Sequence, residues 1–210
     1  DLEIVDRWLL SRLHATEKAV REAYEGYDIQ AACQALYAFF WSEMCDWYIE
    51  VSKARLADEN SKATPQWALL TAIEAFLKMI HPIIPHLTEE LYSHLPIAGK
   101  SEFLMASNWP SLPEAFADAK AEAEVERAFE ITRALRALRA DLEITPRESV
   151  PSAYIDGKVS LKSIIADQAW IANLIDGKPA AERTVSTSLL GVDVYLPIEG
   201  VVDLEKLKEK

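Results

Sequence analysis

Apolar residues recur at three- and four-residue steps along most of the chain up to position 142, which is the spacing of one face of an α-helix. The spacing predicts helices over approximately residues 2–25, 29–58, 65–80 and 118–142, and a further one with Thr88 in its first turns that ends near Leu95. Gly26, residues 60–64 and the two prolines of His81–Pro85 interrupt the pattern. Residues 96–113 are predicted as a loop with a short extended piece at 103–106.

The pattern changes to short units after Thr145 and Pro146. It predicts a strand at 152–155, a helix at 161–174, and a β-hairpin of residues 184–189 and 192–197 that turns at Gly191. A last helix, capped by Asp203, is expected to lead into further protein. We therefore predict a helical bundle over residues 1–145 and a small α/β domain over residues 146–210.

The predicted helix at 29–58 has an apolar surface that is too wide for a helix at the edge of a domain. Projection at 3.6 residues per turn gives two adjacent apolar series. The first is Ile29, Cys33, Leu36, Phe40, Met44, Trp47 and Val51, and the second is Tyr37, Trp41, Cys45 and Tyr48. This helix is therefore predicted to lie at the centre of the bundle, packed on two or three sides.

A narrow polar stripe remains on this helix, formed by Glu43, Asp46, Glu50 and Lys53 and flanked by Phe39, Trp47 and Ile49. Carboxylates accept hydrogen bonds from the amino groups of bases, and unpaired RNA bases also stack on aromatic or apolar side chains. The stripe is thus suited to reading bases in an unpaired loop. Spacing alone leaves an alternative, a solvated face whose acids pair with Lys53 and with arginines of the first helix.

Composition narrows the choice of partner. The net charge of −12 weighs against a protein that holds nucleic acid by phosphate attraction, and no DNA partner is expected, but base reading is not excluded. The apolar runs are too short for a membrane span, and the acidic start is unlike a signal peptide. Cys33 and Cys45 lack CxxC spacing and indicate buried thiols of a reducing cytosol. We expect a cytoplasmic protein without a metal site.

Several longer stretches resemble one family in one order. The segment Phe39–Lys53, FFWSEMCDWYIEVSK, closely resembles the W-x-E-F-C-D-W-Y-[LI]-E-x-x-K signature of valyl-tRNA synthetase anticodon domains, with Met44 in place of Phe. Similar family segments are DRWLLSRL at Asp6–Leu13, HPIIPHLTEELY at His81–Tyr92, WP at Trp109–Pro110, and the run Gly191–Lys210 before a coiled coil. The HPxxPxxTEEL pattern is shared by the synthetases for valine, isoleucine and leucine, whereas CDWYIE points to valine.

The resemblance implies a mainly α fold, the anticodon-binding helical bundle of class Ia synthetases followed by a small α/β domain. It implies tRNA(Val) as the partner and a monomeric parent enzyme that attaches valine to its tRNA. ATP and Mg²⁺ would bind in the catalytic domain, whose HIGH and KMSKS motifs do not occur in this sequence, so no catalytic or cofactor residue is expected here. The alternatives are the same module of an isoleucine enzyme, or a helical protein-interaction scaffold.

The resemblance also bears on individual residues. Family members use on the anticodon a residue pair that maps to Ile49 and Glu50, and further contacts from a helix upstream of Asp1. The predicted anticodon-binding set is Glu43, Asp46, Ile49, Glu50 and Lys53. Arg133, Arg136 and Arg139 recur at every third position of the fifth helix and are predicted contacts of the tRNA backbone. The alternative for these arginines is pairing within the helix, with Glu126, Glu130 and Glu143.

Overall fold

A computed structural model of the chain describes residues 1–145, 148–180 and 183–198. The pattern of contacts between residues divides the chain into two compact units, Asp1–Glu122 and Ala123–Lys210. The helices are α1 (Ile4–Glu25), α2 (Ile29–Tyr37), α3 (Glu50–Ala57), α4 (Ala63–Ile80), α5 (Pro85–Ser93), α6 (Ala119–Asp141) and α7 (Lys162–Gln168). The strands are β1 (Val150–Asp156), β2 (Ile171–Asp176), β3 (Thr184–Leu189) and β4 (Val192–Pro197).

The first unit is a bundle in which α1 packs against α2 and α4, and α4 packs against α3 and α5. Local signals set the helix ends as the sequence predicts. The Asp28 carboxylate accepts a hydrogen bond from the Ala31 amide at 2.9 Å and caps α2, and Pro85 opens α5. The apolar side chains that fill the bundle include Leu9, Leu13, Leu36, Phe39, Met44, Tyr48, Met79 and Tyr92.

A single continuous helix runs from residue 29 to residue 57, because a π-helical segment, Ala38–Ile49, joins α2 to α3 with helical backbone angles at both junctions. We call it the central helix. A π-helix bonds residue i to i+5 and therefore shifts the buried face relative to an α-helix. The buried Phe39 and Met44 stand five residues apart. Tyr37 and Trp41, predicted in the core, are instead 67% and 53% exposed.

Those two core predictions are wrong, and so is the placement of Phe39 beside the polar stripe, since its side chain is 1% exposed. Ile29 and Cys33, also predicted to face inward, are exposed. The common cause in the π segment is the projection at 3.6 residues per turn, which misplaces side chains once the hydrogen-bond ladder changes.

The second unit carries a four-stranded sheet in the order β2-β1-β4-β3. β1 and β2 are parallel and joined through α7, and the other neighbours are antiparallel. The core lies between the sheet and apolar residues of α6 and α7, among them Ile131, Leu135, Ile155, Ile165 and Val194. The α6 residues pack in one core with the sheet. The predicted domain boundary after residue 145 stays a prediction.

Two local predictions are wrong. The segment 103–106 holds a 3-10 turn, Leu104–Ala106, instead of an extended piece. The helix predicted at 161–174 ends at Gln168, and β2 follows, because Trp170 takes a left-handed φ of 55° and β2 then pairs with β1. The hairpin at 184–189 and 192–197 is confirmed. The predicted helix after Asp203 lies outside the described residues.

Within the described ranges, no helix is both long and apolar enough to cross a bilayer.

Candidate nucleic-acid interface

A buried carboxylate fixes the rotation of the central helix against α1. The Asp6 side chain is fully buried and accepts hydrogen bonds from the Tyr48 hydroxyl at 2.6 Å and from Arg55 Nη2 at 2.7 and 2.9 Å. The Glu3 amide is a further donor, at 2.9 Å. Burial, together with the bond to Asp6, raises the pKa of Tyr48 above its ordinary 10.0. This network ties the central helix to α1 through Tyr48 and Arg55.

Glu43 serves as a second tie between the central helix and α1. Its Oε1 accepts hydrogen bonds from Arg12 Nη2 at 2.7 Å and Arg12 Nε at 3.1 Å, and Arg12 Nη1 also reaches Glu122 at 3.2 Å. These bonds, first of all the one to Glu43, raise the pKa of Arg12 against the opposing effect of burial. The Glu43 side chain is only 20% exposed. Glu43 therefore pairs with an arginine of the first helix, as the alternative for the polar stripe expects.

The other four predicted residues lie together on the open face of the central helix. Asp46, Glu50 and Lys53 are exposed, and Ile49 is half-buried beside them. Lys53 Nζ donates to Glu50 Oε2 at 2.6 Å, with the two side chains 63% and 44% exposed. An exposed pair of this kind contributes about 0–1 kcal/mol, so a ligand can displace it at little cost. We call Asp46, Ile49, Glu50 and Lys53 the reading stripe.

Sequence reasoning missed the aromatic residues that accompany the reading stripe. Phe39 and Trp47, the predicted flanks, are 1% and 6% exposed, whereas Tyr37 and Trp41 stand on the open face. Their rings stack with centroids 6.4 Å apart and planes 15° apart. The sequence carries no local marker of this arrangement, because Trp41 and Asp46 share the open face only through the i→i+5 step of the π segment.

The arginines of α6 divide by exposure. Arg133 is exposed, with Nη1 3.6 Å from Glu130, which is the pairing within the helix that spacing had left open. Arg136 is exposed and donates Nε to the Gln168 carbonyl at 3.0 Å. Arg139 is 4% exposed, and its guanidinium donates to the carbonyls of Ala169, Trp170, Thr145 and Glu148. The buried Arg139 guanidinium thus ties main-chain segments of the second unit together, unlike the exposed Arg133 and Arg136.

His81, in the connection between α4 and α5, has a structural contact. His81 Nδ1 lies 2.7 Å from the Thr88 hydroxyl, which also donates to the Ile84 carbonyl at the start of α5. Across the part of the chain that the structure describes, no group of three or more His, Cys, Asp or Glu residues is arranged to hold a metal ion.

The chain is thus an α-helical bundle, whose central helix presents exposed carboxylates, followed by a small mixed sheet. The family model described as the anticodon-binding domain of tRNA ligase matches residues 6–154, which include the whole central helix. The chain belongs to this family.

Curated relatives are identical to the chain at about a third of the positions in the aligned region. They include the valine–tRNA ligases of Thermotoga maritima (34% identical, covering 100% of the chain and 24% of the relative) and Prochlorococcus marinus (35%, covering 99% and 24%). The valine–tRNA ligase of Thermosynechococcus vestitus is 36% identical, covering 100% of the chain and 24% of the relative. The chain thus spans about a quarter of the length of these relatives.

Proposed function

We propose that this chain is the anticodon-recognition part of a valine–tRNA ligase and that it binds the anticodon of tRNA(Val) with the reading stripe. The observation that carries the proposal is the placement of Asp46, Ile49, Glu50 and Lys53 on the face that the bundle leaves open, within the range matched by the family. The names of the relatives support the choice of valine.

The chemistry of the stripe suits unpaired bases. Valine anticodons end in A-C, and both adenine N6 and cytosine N4 carry amino groups that donate to a carboxylate. Glu50 accepts such a hydrogen bond, and Ile49 packs against the face of the base. When Glu50 turns to the base, the Lys53 ammonium is released from its 2.6 Å ion pair and can bind a phosphate of the same loop.

The proposal extends to the parent enzyme, which attaches valine to its tRNA with ATP. ATP, Mg²⁺ and valine bind outside this chain, and the enzyme works in the cytoplasm as a monomer. The resemblance of the motifs and the names of the relatives support this assignment.

The test compares two glutamates that have the same kind of partner. Glu50 pairs with Lys53, and Glu59 pairs with Lys62 at 2.5 Å, both with three-residue spacing on the surface. Because further anticodon contacts are expected from a helix upstream of Asp1, binding of an RNA hairpin with the valine anticodon is measured with the chain extended by that helix, as the wild type, Glu50→Ala and Glu59→Ala. A hydrogen bond to a charged group contributes about 1.5–3 kcal/mol, so Glu50→Ala should bind at least about tenfold more weakly. Glu59→Ala should bind like the wild type.

A hairpin whose last anticodon base is exchanged provides the second arm. The wild type should prefer the valine hairpin, and Glu50→Ala should lose much of that preference. Equal affinity of the wild type for both hairpins, or equal affinities of Glu50→Ala and Glu59→Ala, would count against anticodon reading. A preference for the isoleucine anticodon would assign the module to the isoleucine enzyme, and no RNA binding would favour the protein-interaction scaffold.

A further inference from the structure

Tyr37 and Trp41 form an exposed aromatic pair for which the bundle has no packing use. Their side chains are 67% and 53% exposed, and their rings lie nearly parallel, 15° apart, at a centroid distance of 6.4 Å. Large aromatic side chains normally contribute to stability by being buried, so an exposed stacked pair points to a partner surface.

The π segment makes this pair continuous with the reading stripe. Trp41 and Asp46 are five residues apart, which is one π turn, and Glu50 follows four residues later on the same open face. Trp41 is nine residues from Glu50, at most on the order of 14 Å along the helix axis, and Tyr37 lies one further turn away. Ala38 and Ser42 are also exposed and are too small to cover the rings.

The chemistry of the neighbours selects the kind of partner. Asp46 follows Trp41 by five residues and is also exposed, and a carboxylate repels a phosphate and accepts a hydrogen bond from a base amino group. Aromatic rings stack on any base because every base has a π-face. An unpaired loop whose bases face the helix can stack on the rings and donate hydrogen bonds to the carboxylate. An RNA stem would instead present phosphates and sugars to them.

We infer that Tyr37 and Trp41 form a stacking platform for an unpaired loop base next to the base that Glu50 reads. The inference rests on the proposed function and deepens it. Stacking on the platform adds affinity that does not depend on the RNA sequence, and the Glu50 carboxylate discriminates between bases.

The experiment uses the valine-anticodon hairpin with the fluorescent base 2-aminopurine placed in turn at each position of the loop. Trp67 gives the matched control, because it is also a tryptophan on a helix, 47% exposed, with one aromatic neighbour, Phe116, in edge contact. The wild type should quench the fluorescence at one loop position, as a base stacked on a ring does. Trp41→Leu should abolish the quenching at saturating protein and weaken binding roughly tenfold, and Tyr37→Leu should weaken binding by a smaller factor. Trp67→Leu should match the wild type.

A second readout separates the platform from the reading stripe. Trp41→Leu should weaken binding to the valine hairpin and to the base-exchanged hairpin by the same factor. Glu50→Ala should retain the fluorescence quenching and lose the preference for the valine hairpin over the base-exchanged one. Unchanged affinity and quenching in Trp41→Leu, with the Glu50 effect intact, would overturn the platform and leave the proposed function standing. Failure of the wild type to bind either hairpin would overturn both.

Discussion

Two glutamates seven residues apart on the central helix are held in different ways. Glu43 is 20% exposed and accepts two hydrogen bonds from Arg12. Glu50 is 44% exposed, and the side-chain contact that the structure gives it is with the exposed Lys53. Sequence spacing groups the two residues together. It cannot separate them, because the difference depends on where α1 places Arg12 and on the π turn between the two acids.

Tyr48 gives a test of the buried network. Burial and the hydrogen bond to Asp6 raise the Tyr48 pKa above 10.0, so at high pH the unfolded chain releases this proton before the folded chain does. The stability that the neutral phenol contributes is complete below pH 10 and is lost as the pH rises further. Tyr48→Phe should lower the free energy of unfolding by about 1–2 kcal/mol at pH 7. Above pH 10, the free energy of unfolding of this variant should fall less steeply than that of the wild type.

Urea unfolding at pH 7 and at several values above pH 10 measures both effects. Tyr37→Phe is the control, because the Tyr37 ring is 67% exposed and its change should leave stability within about 0.5 kcal/mol. Parallel pH profiles for the wild type and Tyr48→Phe would show that the Tyr48 hydroxyl is not held as described.

The elements of the bundle follow from local signals far better than the face of the central helix does. Asp28 marks the start of α2 through its own side chain, and the hairpin of β3 and β4 follows from strand alternation around Gly191. The π segment has no such local marker, since its hydrogen-bond shift is set by packing of Phe39 and Met44 against the rest of the bundle. β2 was missed because its pairing with β1 is a long-range interaction that residue patterns do not reveal.

The start of the central helix can be weakened without touching its open face. Asp28→Ala removes the side-chain oxygen that accepts from the Ala31 amide at 2.9 Å, and should cost about 1 kcal/mol of stability. Asp28→Asn keeps an acceptor at the same place and should cost much less. Chemical denaturation measures the difference, and equal losses in the two variants would mean that the cap hydrogen bond does not stabilise this helix end.

At the scale of the whole chain, the proposed function requires an acidic protein to bind an acidic polymer. The sequence carries a net charge of −12, and the reading stripe has a single cation, Lys53. Family motifs could be recognised from the sequence because they are long and ordered, and the match over residues 6–154 agrees with them. The side chains on the open face of the central helix were only partly predictable, since exposure follows from packing and not from the motif itself.

The charge balance predicts a weak dependence of RNA binding on salt. The logarithm of the binding constant falls with that of the salt concentration by about 0.7 per phosphate contact for single strands. Two or three contacts, from Lys53 and from exposed arginines such as Arg133 and Arg136, give a slope of about −2. Titrations of the hairpin between low and high KCl measure it. A slope steeper than about −5 would mean that phosphate attraction, and not base reading, holds the RNA.

The most direct test of the account is a photo-crosslink from the reading stripe to the RNA. A photoreactive amino acid replaces Ile49, which is half-buried between the exposed acids, and a second variant carries it at Glu25, exposed at the end of α1. We predict that the Ile49 probe crosslinks to anticodon nucleotides of tRNA(Val) and that the Glu25 probe does not. Crosslinks from the Ile49 probe that map outside the anticodon loop, or that match those from the Glu25 probe, would contradict the assignment of this face to anticodon reading.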